Sequence, residues 1–207
     1  MRALRHRVVR WQTAPRAALR AAWGAAVTLL LACNSSTAVR GVAVDPPRAV
    51  AAFDFTSADG RTVPLAPPAD GPLVVFFGYT HCPDVCPTTL ADWKRAKAKL
   101  GTDGDRVRFM FVSVDPARDT PAVADRYAKQ FDRAFIGVSA DDAMLARVMA
   151  AYGATAAREG GPDSTNYTMA HSGQSFLVDA AGRLVAMYPL GMGWDVLAAD
   201  LKSLLGS

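Results

Sequence analysis

Two cysteines four positions apart, Cys82 and Cys86, are the residues whose type and spacing most clearly indicate chemistry. A disulfide across so short a loop would restrict the unfolded chain very little, so a purely structural crosslink is disfavoured. If a helix begins at this point, its free N–H groups and the positive end of its dipole would stabilise thiolate over thiol. We therefore expect the pair to act either as redox-active nucleophiles or as ligands for a soft metal ion.

His171 is the residue that helps to separate these two uses. A spacing of four places both cysteine side chains on one face of a helix, within reach of a common ion. Two thiolates suit Cu(I), and an imidazole would add a ligand that both oxidation states of copper accept. The sequence therefore predicts a copper site formed by Cys82, Cys86 and His171, although a histidine alone also fits an ordinary surface position.

The elements that must position these residues follow from hydrophobic periodicity and turn residues. An uninterrupted apolar run at residues 73–77 predicts a central strand buried on both faces, and the cysteines follow it directly. The other predicted strands are residues 53–56, 61–65, 107–114, 135–139, 175–179 and 183–188, and the predicted helices are residues 87–100, 120–131, 141–152 and 194–205. Residues 153–168 predict an irregular, mobile stretch that leads to His171. This order predicts an α/β fold, a thioredoxin-like central mixed sheet flanked by helices, with an N-terminal β-hairpin.

The N-terminal residues have the composition of a targeting segment. Residues 1–33 contain six arginines and no acidic residue, and the apolar run at residues 21–31 is too short to span a bilayer comfortably. The run leads into Leu-Leu-Ala-Cys, which resembles a bacterial lipobox that ends at Cys33. We expect a signal peptide over residues 1–33, lipidation at Cys33, a flexible tether over residues 34–48 and a copper-binding domain over residues 49–207.

An ordinary signal peptide with an incidental Cys33, or an uncleaved N-terminal membrane helix, would explain the same segment. All three interpretations place the domain outside the cytoplasm, and we expect a membrane-anchored bacterial lipoprotein that faces the periplasm. The formal net charge is +4, but setting aside the six N-terminal arginines from the 23 basic residues leaves 17 against 19 acidic ones, a net of −2. A slightly acidic domain gives no reason to expect a nucleic-acid partner.

Several motifs resemble one known family in their residues and their order. They are Phe-Gly-Tyr-Thr at residues 77–80, Cys-Pro-Asp-Val-Cys-Pro at residues 82–87, Ser-Val-Asp-Pro-Ala-Arg-Asp-Thr-Pro at residues 113–121, His171, Phe-Leu-Val-Asp at residues 176–179, and Gly182. With these motifs, the chain from residue 53 to residue 205 resembles the Sco/SenC family of copper chaperones.

The resemblance implies a thioredoxin-like fold that binds Cu(I) or Cu(II) through Cys82, Cys86 and His171. It also implies delivery of copper to, or reduction of cysteines in, the dinuclear copper site of cytochrome c oxidase subunit II. Other periplasmic copper chaperones or thiol reductants would be further partners. Many family members have an aspartate directly before the histidine, whereas this chain has Ala170, a change that leaves the three ligands intact.

Other functions remain open from the sequence. Cys82 and Cys86 would be the redox pair of an extracytoplasmic thiol-disulfide oxidoreductase or peroxidase-like protein, or the switch of a copper-dependent redox sensor. Redox enzymes of this fold place a cis-proline near the position of His171, and residues 172–174 contain no proline, which favours the metal. A metallochaperone would have no catalytic turnover in the usual sense.

Three further residues near the expected site have ambiguous roles. His81 precedes Cys82 and is either a neighbour of the ligands or an exposed residue. Asp115 and Asp119 follow a predicted strand, where they would either add negative charge to the site or form turns and caps. The methionines are dispersed along the chain, which indicates packing residues rather than a copper-binding methionine cluster.

Overall fold

The structure is a computed structural model that describes residues 39–160 and 166–206. Its strands are β1 (Val42–Ala49), β2 (Phe53–Thr56), β3 (Thr62–Leu65), β4 (Leu73–Gly78), β5 (Arg108–Ser113), β6 (Ile136–Val138), β7 (Ala156–Glu159), β8 (Thr168–His171), β9 (Ser175–Val178) and β10 (Arg183–Tyr188). Its helices are α1 (Val85–Leu100), α2 (Pro121–Lys129), α3 (Asp142–Tyr152) and α4 (Trp194–Leu205), and a 3-10 helix at Gly101–Arg106 follows α1.

Six strands form the main sheet, in the order β1-β10-β9-β4-β5-β6. β4, β5 and β6 run parallel, whereas β9 runs antiparallel to β4 and pairs with β10, which pairs with β1. Every residue of β4 is buried, as its continuous apolar sequence predicts. α1 packs against α4, and α2 packs against β5 and β6. The predicted central mixed sheet flanked by helices is therefore confirmed, and the predicted N-terminal hairpin forms a sheet of its own from β2 and β3.

The first helix is fixed to the sheet by its apolar face. Cys86, Leu90 and Trp93 recur at helical spacing and are all buried. The indole N–H of Trp93 donates to Ser175 Oγ on β9 at 3.0 Å, which satisfies a buried polar group. The rings around Trp93 are Phe76, Phe109 and Phe135. This packing sets the start of α1 directly above the end of β4.

Two other helices have regular capping residues at their ends. Thr120 caps α2, since its side chain accepts a hydrogen bond from the N–H of Val123, and Pro121 is the first helical residue. α3 is capped by Asp141 and ends at Gly153, whose φ of 69° places it in the left-handed region that favours glycine. These capping residues determine where the two helices begin and where α3 ends.

The N-terminal boundary of the domain differs from the prediction. The sequence predicts a tether through residue 48, whereas Val42–Ala49 form β1 and pair with β10. The register is interrupted between Ala43 and Arg48, and both prolines of the segment lie in the interruption. Proline is tolerated at such irregular edge positions, so a composition typical of a linker is compatible with a strand here.

The predicted irregular stretch at residues 153–168 is also wrong in part. Ala156–Glu159 form β7, which pairs antiparallel with β8 in a two-stranded sheet separate from the main one. Three of the four residues of β7 are exposed, so the strand lacks the alternation of apolar and polar residues that identifies strands in a sequence. Residues 161–165 lie outside the described residues, and the mobility of the stretch stays a prediction.

Within residues 39–160 and 166–206, no helix combines the length and the apolar character needed to cross a membrane. The predicted signal peptide, Cys33 and the first residues of the predicted tether lie outside the described part of the chain. Their assignments therefore stay predictions.

Candidate metal centre

Both cysteines lie where the central strand passes into the first helix. β4 ends at Gly78, and the N–H of Cys82 donates to the carbonyl of Tyr79 at 3.3 Å. α1 begins at Val85, two residues before its predicted start, so Cys86 lies in the first turn of the helix and Cys82 lies in the preceding turn. The predicted placement of both side chains on one helix face is wrong, because the helix begins too late to include Cys82.

The turn nevertheless brings the two sulfurs together. The backbone N–H of Cys86 donates to Cys82 Sγ at 3.4 Å, and both cysteines are free thiols. Cys86 is fully buried, whereas Cys82 is partly exposed. Gly78 makes the burial of Cys86 feasible, since a Cβ at that position would lie 2.7 Å from Cys86 Sγ. Cys82 is therefore the sulfur that an approaching molecule can reach.

His171 is the last residue of β8 and points its ring at the cysteines. Its Nε2 lies 3.6 Å from Cys86 Sγ, and the ligand atoms of Cys82, Cys86 and His171 all lie within 4.8 Å of one another. The ring packs edge-on against Phe76 and Tyr79, with centroid distances of 5.7 Å in both cases. The structure thus brings together the three residues that the sequence predicts as metal ligands.

The hydrogen bonds of His171 set its tautomer. Nδ1 lies 3.2 Å from the backbone carbonyl of Ser172, and a carbonyl can only accept a hydrogen bond. Nδ1 therefore carries the proton of the neutral ring, and the lone pair of Nε2 faces Cys86 Sγ. In other proteins, metal-binding histidines are commonly oriented in this way, by a hydrogen bond to a carbonyl from the ring nitrogen that does not bind the metal.

Burial raises the pKa of the Cys86 thiol well above its ordinary value, and the neighbouring Cys82 sulfur adds to this effect. The expected stabilisation of a thiolate at the helix N-terminus is not met at Cys86, because desolvation of the buried anion is the largest influence on its pKa. The protonated sulfur can donate to the lone pair of His171 Nε2. A soft cation that binds here would displace this proton.

The two aspartates with ambiguous roles are both buried and both hold the chain in place. Asp119 accepts hydrogen bonds from the N–H of Thr80 at 2.9 Å, from Thr80 Oγ1 at 2.6 Å and from Ser113 Oγ at 2.6 Å. It thereby ties the loop before Cys82 to the end of β5. Asp115 interacts with Arg118 and Tyr167.

His81 lies beside this network. Its side chain is exposed, and its Nδ1 lies 3.2 Å from Thr80 Oγ1 and 3.8 Å from Asp119 Oδ1. Among the described residues, the group of donors close enough to share an ion consists of the two cysteines and His171, without His81 or either aspartate. The aspartates are therefore not part of the donor group: their side chains join separate parts of the chain by hydrogen bonds, and the negative charge of Asp119 contributes to raising the pKa of Cys86.

Gly78, Arg118 and Tyr167 have roles near the site that sequence reasoning does not assign. Gly78 and Arg118 lie inside the motifs that carry the family resemblance, so a signal for them exists in the sequence. Tyr167 lies in the stretch predicted as irregular, four residues before His171, where no periodicity marks it.

The donor set fits a single soft ion. Metal ions bind thiolate sulfur at about 2.3 Å and imidazole nitrogen at about 2.0 Å, so two donors on one ion lie at most about 4.6 Å apart. The separations of up to 4.8 Å here need only small side-chain rotations to reach that limit. Two sulfurs and one nitrogen are the donors expected for copper, and the hard donors that calcium or magnesium require do not belong to this group.

The fold and the site together define a class of protein. A mixed sheet flanked by helices, with two thiols and an imidazole at the carboxyl end of its central strand, is a thioredoxin-like domain with a Cys-Cys-His centre in place of a simple dithiol site. The family model described as SCO1/SenC matches residues 42–206, and the chain belongs to this family. The resemblance predicted from the sequence motifs is therefore confirmed.

Individual relatives agree with this assignment. The chain is 37% identical to apo Sco1 from Thermus thermophilus, covering 83% of this chain and 99% of that one, with a TM-score of 0.73. It is 38% identical to ScoI from Bradyrhizobium japonicum, solved with copper bound, covering 76% of this chain and 99% of that one, with a TM-score of 0.67. It is 33% identical over 118 residues to a SCO2-like protein of Rickettsia felis, which is 56% of this chain and 58% of the relative. The match thus spans less than two thirds of that relative's length.

Proposed function

We propose that this protein is a copper metallochaperone that binds one copper ion through Cys82, Cys86 and His171. The observation that carries the proposal is the approach of their three donor atoms to within 4.8 Å of one another. The related ScoI of Bradyrhizobium japonicum, with copper bound, supports copper as the ion. Copper is the cargo, and Cu(I) suits the two sulfurs while the imidazole also accommodates Cu(II).

The unequal exposure of the donors suggests how the ion is handed over. Cys86 is buried and holds the ion from the side of the core, whereas Cys82 and His171 are partly exposed. A thiolate of the partner approaches from that open side and shares the ion before one of the original ligands is released. Oxidation of Cys82 and Cys86 to a disulfide abolishes Cu(I) loading, since the disulfide offers no thiolate.

The partner in this proposal follows from the family, and the location follows from the targeting-like composition of residues 1–33. The proposed recipient is the dinuclear copper site of cytochrome c oxidase subunit II. The domain would work outside the cytoplasm, anchored by lipid on Cys33 after removal of the signal peptide. A thiol-disulfide oxidoreductase is less well supported, because His171 Nε2 lies 3.6 Å from Cys86 Sγ and completes a three-donor group that a simple dithiol enzyme does not need.

The test is copper binding by the purified full-length chain and by its Cys82→Ser, Cys86→Ser and His171→Ala variants, each fully reduced. We expect one equivalent of Cu(I) in the wild type. Each ligand variant should bind Cu(I) at least about 100-fold more weakly, because each ligand contributes roughly 3 kcal/mol to the free energy of metal binding. Affinity is measured by competition with a Cu(I) chelator, beside the rate of reduction of a model disulfide.

Cys33→Ser is the matched control, because it removes a cysteine outside the candidate site and should leave copper affinity unchanged. A His171→Ala variant with the affinity of the wild type would contradict the three-ligand site. If that variant also reduced disulfides at the wild-type rate, a dithiol reductase would replace the chaperone.

A further inference from the structure

Tyr167 links the hairpin of His171 to the end of β5. Its hydroxyl donates to Asp115 Oδ1 at 2.6 Å, and its backbone carbonyl accepts a hydrogen bond from Arg118 Nη1 at 3.0 Å. The guanidinium of Arg118 stacks on the Tyr167 ring, 3.6 Å from its centroid, and its Nε pairs with Asp115. We call these three residues the clasp. Each of them contacts the other two.

The clasp joins the two parts of the chain that supply the metal ligands. Asp115 and Arg118 follow β5, in the same turn as Asp119, which holds the loop before Cys82. Tyr167 directly precedes β8, the strand that ends with His171. In the described residues, β7 and β8 pair with each other and are not hydrogen-bonded into the main sheet. The position of His171 therefore depends on its pairing with Ala156 in this two-stranded sheet and on contacts such as the clasp, rather than on the ladder of the main sheet.

Arg118 also lies close to the ring that supports His171. Its guanidinium carbon is 5.7 Å from the centroid of Tyr79, and the Tyr79 ring lies edge-on to His171 at 5.7 Å. The side chain of Asp115 is 3% exposed and that of Arg118 is 18% exposed, so their ion pair is largely shielded from solvent. Shielded, charge-assisted hydrogen bonds with planar stacking hold a defined geometry, which flexible surface pairs do not.

We propose that Asp115, Arg118 and Tyr167 are positioning residues that set the distance from the His171 imidazole to the two sulfurs, and so decide whether copper gains its third ligand. This inference rests on the proposed function. None of the three touches the ion. Their effect on copper acts through the imidazole, as the groups around metal-binding histidines generally do.

The first test replaces one hydroxyl. Tyr167→Phe removes the bond to Asp115 and keeps the ring that stacks on Arg118. In the full-length chain we expect Cu(I) affinity to fall about 10-fold, the lower end of the usual effect of such supporting groups. The nitrogen hyperfine coupling in the electron paramagnetic resonance spectrum of the Cu(II) form should weaken, because that coupling reports the bound imidazole.

Tyr188→Phe is the matched control. The Tyr188 hydroxyl also donates to a buried carboxylate, Asp200 Oδ2, at 2.7 Å. Its loss should lower stability without changing either copper readout. The proposal is overturned if Tyr167→Phe keeps wild-type affinity and nitrogen coupling, or if Tyr188→Phe changes them equally.

The second test separates geometry from charge. Arg118→Lys keeps the positive charge but loses the planar group that stacks and pairs. We expect it to weaken copper binding as Tyr167→Phe does, and wild-type affinity in Arg118→Lys would refute a geometric role. In a His171→Ala background, Tyr167→Phe should cause no further loss, since the clasp then has no ligand to position. A full additional 10-fold loss in that background would show an effect on the cysteines instead.

These outcomes distinguish failure of the clasp from failure of the proposed function. If His171→Ala leaves copper affinity unchanged, the three-ligand site and the clasp both fail. If His171→Ala weakens binding and Tyr167→Phe does not, the chaperone site stands and the clasp alone fails.

Discussion

The cysteine side and the histidine side of the candidate centre are built in different ways. Cys86 is fully buried on a helix that packs on the main sheet through Trp93. His171 is half-buried and stands on a two-stranded sheet of its own, in which most residues of β7 are exposed. The Cys86 sulfur is therefore placed by the main core, whereas the imidazole depends on the pairing of its own hairpin and on ring contacts with Phe76 and Tyr79.

This difference suits the proposed metallochaperone, whose site would have to both hold an ion and release it. Local opening occurs at the least stable elements of a fold, which have few buried apolar contacts. The β7–β8 hairpin has that character, and β4 and α1 do not. Release of copper should therefore begin on the histidine side, while Cys86 keeps its place throughout.

Trp93→Ala should produce the largest loss of stability, because it removes the anchor of the cysteine side. Truncation of a buried tryptophan costs about 3–5 kcal/mol of unfolding free energy. Trp93→Phe is the control, since it keeps most of the packing and loses chiefly the 3.0 Å hydrogen bond to Ser175 Oγ. Loss of that hydrogen bond should lower the free energy of unfolding by about 1 kcal/mol. Urea unfolding of the metal-free protein measures both. A loss below about 1 kcal/mol for Trp93→Ala would mean that α1 is not fixed by this residue.

A pair of glycine substitutions compares the two sides directly. A Cβ on Gly78 would lie 2.7 Å from Cys86 Sγ, which is too close. A Cβ on Gly173 would have Val85 Cγ1 as its neighbour, at the ordinary van der Waals distance of 3.8 Å. Gly78→Ala should therefore cost about 1–3 kcal/mol by overpacking and should weaken Cu(I) binding by displacing the sulfur. Gly173→Ala, two residues from His171, should leave both quantities near wild type. Urea unfolding and chelator competition are the measurements, and equal effects of the two variants would contradict the proposed difference.

The same contrast explains what the sequence could predict. β4 is an unbroken apolar run, and α1 repeats its buried residues at helical spacing. Both patterns arise because these residues are buried, and both elements can therefore be predicted from the sequence. The cysteine motif follows β4 directly, so its position at the end of the central strand could be derived from the sequence. The error in the prediction was confined to the start of α1, because the helix begins at Val85 and leaves Cys82 outside it.

On the histidine side the sequence is less informative. β7 has the sequence Ala-Ala-Arg-Glu and is mostly exposed, so no apolar alternation reveals it. His171 could be identified from its residue type and its place before β9, but its neighbours could not. Tyr167 and Arg118 are 49 residues apart and meet only in the folded chain. Edge strand β1 was hidden for a similar reason, because exposed residues and two prolines are typical of a linker.

His171→Ala should have only a small effect on the stability of the metal-free protein, and Cys86→Ala is its counterpart on the other side. Cys86 is fully buried, so its loss leaves a cavity and should cost about 1–2 kcal/mol of unfolding free energy. His171 is half-buried on a hairpin outside the main sheet, and its removal should cost less than about 1 kcal/mol. Both variants are unfolded in urea under reducing conditions without copper. Equal losses would mean that the hairpin unfolds as part of the main core, and copper release could not then begin by opening of the histidine side.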